Sequence, residues 1–136
     1  MTFDTKVAVV LLEELLAWQK LNVACFLAGG LVGQFPELAG EPYADASGAR
    51  YGPLIRQPVL VFAANGEQLG AALQRARERG IVASIYTKGL FATVNDADNR
   101  AVVAALATGQ LDLAGIAVHG RKKEVDRVTA GLRLHP

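Results

Sequence analysis

The chain has 136 residues but only one cysteine, Cys25, and two histidines, His119 and His135. A lone cysteine excludes an internal disulfide. Neither histidine has a second ligand at helix or hairpin spacing, so no metal site is expected, and no cofactor motif is present. Charge of one sign is missing too. The 14 Lys and Arg balance 13 Asp and Glu to a net +1. A domain that grips nucleic acid through a broad basic face is usually strongly basic, so the balance argues against a nucleic-acid partner. No apolar run is long enough to cross a bilayer. The opening stretch MTFDTKVAVVLL carries an acid near its start, with no cleavage-site signature behind its apolar run. A cytoplasmic protein is the expectation. There is no internal repeat and no low-complexity segment.

What is present is a globular composition, 51% apolar and 20% charged. It suffices for one domain over residues 1–136 with a core of its own. Lys6–Leu12 (KVAVVLL) reads as a strand buried on both faces. Leu15, Leu16, Gln19, Val23, Phe26, Leu27 and Gly30 then recur at helical spacing, so a helix begins between Glu13 and Lys20 and runs to about Val32. Gly33–Pro58 is a long Gly- and Pro-rich connection without periodicity. Such a connection is either a ligand lid or an irregular hairpin around Ser47-Gly48. Pro58–Ala64 is a second strand. Asn65 caps an amphipathic helix that turns Leu69, Ala72, Leu73 and Ala76 inward and stops at Gly80. Ile81–Thr87 is a third strand, Ala97–Ala107 a helix started at Asn95 or Asp96, and Leu113–Gly120 a fourth strand. A last helix with Val125, Val128 and Thr129 as its candidate inward residues stops at Gly131, and LRLHP closes the chain as a candidate short strand. Strands alternating with helices define an α/β domain with a mainly parallel sheet.

Three features carry candidate chemistry. Asn22 puts an amide into the apolar helix stretch KLNVACFLAGG. A buried amide must find hydrogen bonds, so it either ties down a neighbouring backbone or points into a cleft. His119–Lys123 (HGRKK) sets Arg121, Lys122 and Lys123 where the fourth strand passes into a helix start. Cations there oppose the helix dipole, and a bound anion would relieve the conflict; a solvated turn with Glu124 as partner is the plainer reading. The glycines of AGGLVG end a helix instead of joining a strand to one, so they are no dinucleotide fingerprint and point to helix termination or close packing. Cys25 is expected to pack as a small apolar group.

KVAVVLL, NVACFLAGG and GIAVHGRKKEVDRVTAGLRLHP together resemble the type II peptidyl-tRNA hydrolase fold. More closely, LNVACFLAGGLVG, DASGARYGPL and the C-terminal stretch resemble an uncharacterised domain-of-unknown-function family (2000) that shares this fold. The resemblance spans nearly the whole chain. It implies a three-layer α/β/α domain with a four-stranded mixed sheet, the last strand antiparallel, and a homodimer. The hydrolases carry Gly-Lys-x-Ala-Ala-Gln-x-x-His at the first helix. Matching the two alanines to Ala24 and Cys25 puts Asn22 at the lysine, Phe26 at the glutamine and Gly29 at the histidine. Their Asp-Ala-Gly-x-Thr segment has no counterpart in YTKGLFATVND. The expectation is a domain without the hydrolase residues that binds a small molecule or an anion. Asn22 would orient the ligand in a cleft closed by the Gly33–Pro58 connection, with Asp45, Ser47, Arg50 and Tyr51 as loop contacts. Arg121, Lys122 and Lys123 are the separate anion candidate. The alternatives are an active peptidyl-tRNA hydrolase-like enzyme, and an interaction module working as a homodimer.

Overall fold

Successive side chains of a strand point to opposite faces, and in β1 (Thr5–Leu12) both faces are apolar. Val7, Val9 and Leu11 join one buried cluster and Ala8, Val10 and Leu12 another. A sheet apolar on both sides must be covered on both sides, which gives three layers. The computed structural model describes residues 2–136. After β1 come α1 (Ala17–Gln34), β2 (Tyr43–Ala44), β3 (Arg50–Tyr51), β4 (Val59–Ala64), α2 (Gly66–Glu78), β5 (Ser84–Thr87), α3 (Asp96–Ala104), β6 (Leu113–Arg121), α4 (Lys122–Val128) and β7 (Arg133–Leu134). The main sheet has the order β5-β6-β1-β4-β7. β1 and β4 are parallel, whereas β6 runs against both β1 and β5, and β7 against β4.

The sheet therefore has five strands, one more than the four expected. The addition is the chain's end. Arg133 and Leu134 pair with Ala63 and Phe62, and the His135 amide donates to the Val61 carbonyl at 2.8 Å. They are the short strand the sequence suggests for LRLHP, and they close the outer edge of β4. β5 starts at Ser84, later than the expected Ile81.

α2 and α4 cover one face. Leu69, Ala72, Leu73 and Ala76 are buried there beside Val125 and Val128. Asn65 caps α2 as expected: its side chain accepts from the Gln68 amide at 2.8 Å, and Gln68 returns the bond to the Asn65 amide at 2.9 Å. Gly80 and Gly131 end their helices with φ of +68° and +79°. α1 covers the other face, with Val23, Leu27 and Leu31 fully buried and Ala24 and Val32 packed beside them. Val102 and Val103 of α3 join it there, although no residue of α3 is fully buried.

That narrow contact corrects the reading of α1. Leu16 and Phe26 were expected inward but are exposed, and so is Cys25. The sheet can bury only one stripe of a helix, and the apolar residues of α1 spread well beyond it. The glycines differ between themselves. A Cβ on Gly30 would stand 3.2 Å from the Ser84 hydroxyl oxygen, whereas Gly29 has open space around it.

Candidate functional site

In a sheet of this kind, ligands gather beyond the carboxyl ends of the parallel strands. α1 leaves from that end of β1, and Asn22 lies in its second turn. β5 ends beside it and passes through a 3-10 turn, Lys88–Ala92, into α3. Between α1 and this segment lies a cleft of about 370 Å³. Trp18, Phe26, Tyr86 and Phe91 wall it with aromatic rings. They touch in sequence: Trp18 meets Phe91 edge-on at 6.0 Å between centroids, Phe91 meets Tyr86 at 5.1 Å, and Tyr86 meets Phe26 at 5.7 Å. A second hollow of about 600 Å³ continues between α1 and α3 and shares Phe26, Tyr86, Leu90, Asp96 and Asn99 with the first.

The polar groups of the cleft divide into those already bonded and those that are not. The Thr93 hydroxyl donates to the Leu90 carbonyl at 2.9 Å and also contacts the Asn99 side-chain oxygen. Asn95 caps α3 through the Asp98 amide at 2.8 Å and donates to the Asp98 carboxylate. Asp96 is paired with Arg100 one turn on. By contrast, neither the half-buried Asn22 carboxamide nor the Tyr86 hydroxyl has a hydrogen-bond partner among the described residues. Tyr86 is only 5% exposed. Burial raises the pKa of its phenol, so it stays protonated and can both donate and accept.

Local backbone structure fixes this pair. The β5–β6 register shifts between Tyr86 and Thr87, and such a bulge re-aims the side chains next to it. Gly115 of β6 stands across from Tyr86. A Cβ there would lie 2.9 Å from Val23 Cγ1, 3.0 Å from the Val10 carbonyl and 3.1 Å from Leu27 Cδ1. Only glycine lets α1 settle this close to the sheet, which brings Phe26 onto Tyr86 and Asn22 to the cleft.

The other candidates lie elsewhere. Asp45, Ser47, Arg50 and Tyr51 belong to the small β2–β3 hairpin and are exposed. Asp45 organises its turn: the carboxylate accepts from the amides of Ser47 and Ala49 at 2.9 and 3.0 Å and from the Tyr51 hydroxyl at 2.6 Å. These bonds, the one from Tyr51 above all, lower the Asp45 pKa. None of the four lines the cleft beside Asn22, which the segment after β5 closes in place of the Gly33–Pro58 connection. The reason is helix length. That connection leaves α1 twelve residues beyond Asn22, roughly 18 Å along the axis at 1.5 Å per residue.

Arg121, Lys122 and Lys123 lie at the other end of the sheet, since Arg121 pairs with Thr5 at the start of β1. With Asp4 and Glu124 they line a shallow hollow of about 440 Å³. All three are exposed and in no ion pair among the described residues, while Glu124 pairs with Arg79 at 3.3 Å. α4 has seven residues, and its Lys122 amide donates to the Asp4 carbonyl at 3.2 Å.

Sequence reading singled out Asn22 and passed over Tyr86, Trp18, Phe91 and Thr93. The signal for Tyr86 was faint: a phenol at the carboxyl end of a short apolar strand. No Asp-Ala-Gly-x-Thr motif is legible after β5, yet that segment still brings Thr93 and Asp96 to the cleft. Among the described residues, no three His, Cys, Asp or Glu stand together as a metal site. Among these residues no helix is long and apolar enough to cross a membrane.

Fold and cleft define a mixed α/β domain with one aromatic-walled hollow at the carboxyl end of its parallel strands. The chain belongs to the family described as "Protein of unknown function (DUF2000)", whose model matches residues 5–136. It is similar to a solved structure of a protein of unknown function from Agrobacterium tumefaciens str. C58. The identity is 44% and the TM-score 0.96, over 99% of this chain and 100% of that one. No curated protein matches.

Proposed function

We propose that the protein is a small-molecule-binding domain on a type II peptidyl-tRNA hydrolase-like scaffold, with its ligand in the cleft between Asn22 and Tyr86. The parallel β1, β4 and β5 with an antiparallel β6 support the scaffold. One observation carries the binding reading. In a cleft whose other polar side chains are mostly bonded to neighbours, the half-buried Asn22 carboxamide and the hydroxyl of the otherwise buried Tyr86 have no protein partner among the described residues and stay open to the cleft. A few fixed donors and acceptors facing an otherwise aromatic cleft are what orients a small ligand. A ligand that reaches both groups would supply what the fold withholds. Hydrolase chemistry has less support, because no Lys, Arg or His lines the cleft where the resemblance puts Asn22 at a lysine position.

Thermal-shift screening of uncharged small molecules tests the reading. Stabilisation should appear in the parent chain and fall in Asn22→Ala and Tyr86→Phe, and it should be unaffected by Arg121→Ala/Lys122→Ala. Cleavage of peptidyl-tRNA by the purified protein, lost in Asn22→Ala, would establish the hydrolase instead.

A second reading, the homodimer, draws on the outer face of α1. Between Ala17 and Gln34 the helix has one charged residue, Lys20, and it exposes Trp18, Leu21, Cys25 and Phe26. An exposed apolar face of this size marks an interaction surface. A second copy laid along it would roof the cleft at Trp18 and Phe26. Sedimentation of the parent chain and of Leu21→Glu checks this: a dimer that the substitution dissociates supports it, and a monomer in both removes it.

A further inference from the structure

Resting on the small-molecule reading above, we infer that the cleft takes an uncharged planar heterocycle with a lactam or amidine edge, a ligand of the nucleobase type. Three features of the cleft lead there. The first is charge. Among the described residues, the lining of the Asn22 cleft holds no Lys, Arg or His, and its carboxylate, Asp96, is neutralised by Arg100 at the border of the adjoining hollow. A phosphate or carboxylate on the ligand would find no unpaired cation, and an ammonium no free acid.

The second is shape. Trp18 stands edge-on to Phe91 with an interplanar angle of 71°, which fixes its ring while 59% of the residue stays exposed. Phe26, in contact with Tyr86, is 56% exposed at the other rim. Rigid aromatic faces left open to a cleft favour a flat ring, and stacking on them tolerates any base because every base has a π-face. The part of the cleft beside Asn22, about 370 Å³, holds one ring system, and the adjoining hollow leaves room for a substituent on it.

The third is the hydrogen-bonding pattern. An asparagine side chain presents one acceptor and two donors in a single plane, and this edge complements a cis-amide or an amino-imine, as when asparagine reads adenine in DNA. Tyr86, kept neutral by burial, adds a hydroxyl that suits a carbonyl or a ring nitrogen equally.

Calorimetric titration of the full chain with hypoxanthine, uracil and adenine tests the inference, beside inosine monophosphate and cyclohexanecarboxamide. At least one base should bind, with no gain from the phosphate and weaker binding of the non-planar amide. Asn22→Asp, which keeps the shape and removes the donor, should weaken the base about tenfold. Trp18→Ala should weaken it similarly. Tighter binding of the monophosphate, or equal binding of cyclohexanecarboxamide, would overturn the inference and leave the small-molecule reading standing. If no uncharged molecule binds in an Asn22-dependent way, both fall.

Discussion

Gly115 stands opposite Tyr86 across the β5–β6 pairing, and the space a side chain would occupy there is filled by Val23, Leu27 and the Val10 carbonyl. The close approach of α1 to the sheet and the position of the cleft's buried phenol thus share one glycine. Gly115→Ala places a methyl 3.0 Å from a backbone oxygen that cannot move aside. The expected cost is about 1–3 kcal/mol by denaturant unfolding, the usual penalty of overpacking. Tyr86 and the α1 residues around Asn22 should show the largest amide chemical-shift changes. Unchanged stability would mean that α1 is not seated as described.

Thr87, next in the strand, gives a prediction of opposite sign. It is 2% exposed and its hydroxyl has no partner among the described residues. Thr87→Val keeps the shape and removes an unmade hydrogen bond. Stability should rise by about 1 kcal/mol, or at the least not fall. A loss on chemical denaturation would reveal a partner for that hydroxyl.

Asn65 and Gln68 form a reciprocal cap on α2, on the sheet face opposite α1, and line neither the cleft nor the adjoining hollow. Asn65→Ala should cost about 1 kcal/mol. Ligand binding should not change, which makes this variant the stability control for the cleft substitutions.

His119 supplies a pH dependence. Its ring packs edge-on against Phe35 at 4.6 Å, and its Nδ1 is buried without a partner among the described residues. Burial lowers its pKa below the ordinary 6.5, and the carboxylate of Glu37 opposes the shift in part. The folded state therefore binds the proton less readily than the unfolded one. This contribution is fully present above pH 6.5 and is lost as pH falls from there towards the lowered folded pKa. His119→Phe should flatten that segment of the stability profile. An unchanged slope would assign it to another group.

The fold was largely legible because its signals are local and mutually consistent. KVAVVLL can only be a two-sided strand, and Asn65 with Leu69, Ala72, Leu73 and Ala76 spells out both the start and the inner face of α2. The closing segment LRLHP was legible as a short strand, but its place on the outer edge of β4 was not, since Arg133 and Leu134 find that edge only through the fold. Nor was the exposure of Phe26 and Cys25: a helix apolar nearly all round does not say which stripe the sheet will take.

The site was half legible. Asn22 stood out because an amide inside an apolar stretch is a local anomaly. Its surroundings were not legible, because the long Gly33–Pro58 connection leaves α1 at the end away from Asn22. The cleft depends instead on Tyr86 and Thr93, which lie more than sixty residues along the chain and are joined to Asn22 by sheet topology alone. Asp45 and Tyr51 hold a turn together, and that use of an aspartate and a tyrosine reads the same in sequence as a ligand contact.

The most direct test of the central claim is a crystal structure after soaking with an uncharged compound that stabilises the protein. Density in the cleft, within hydrogen-bond reach of both the Asn22 carboxamide and the Tyr86 hydroxyl, is the predicted result. Density at the Arg121–Lys123 surface or on the β2–β3 hairpin, with the cleft holding water alone, would contradict it.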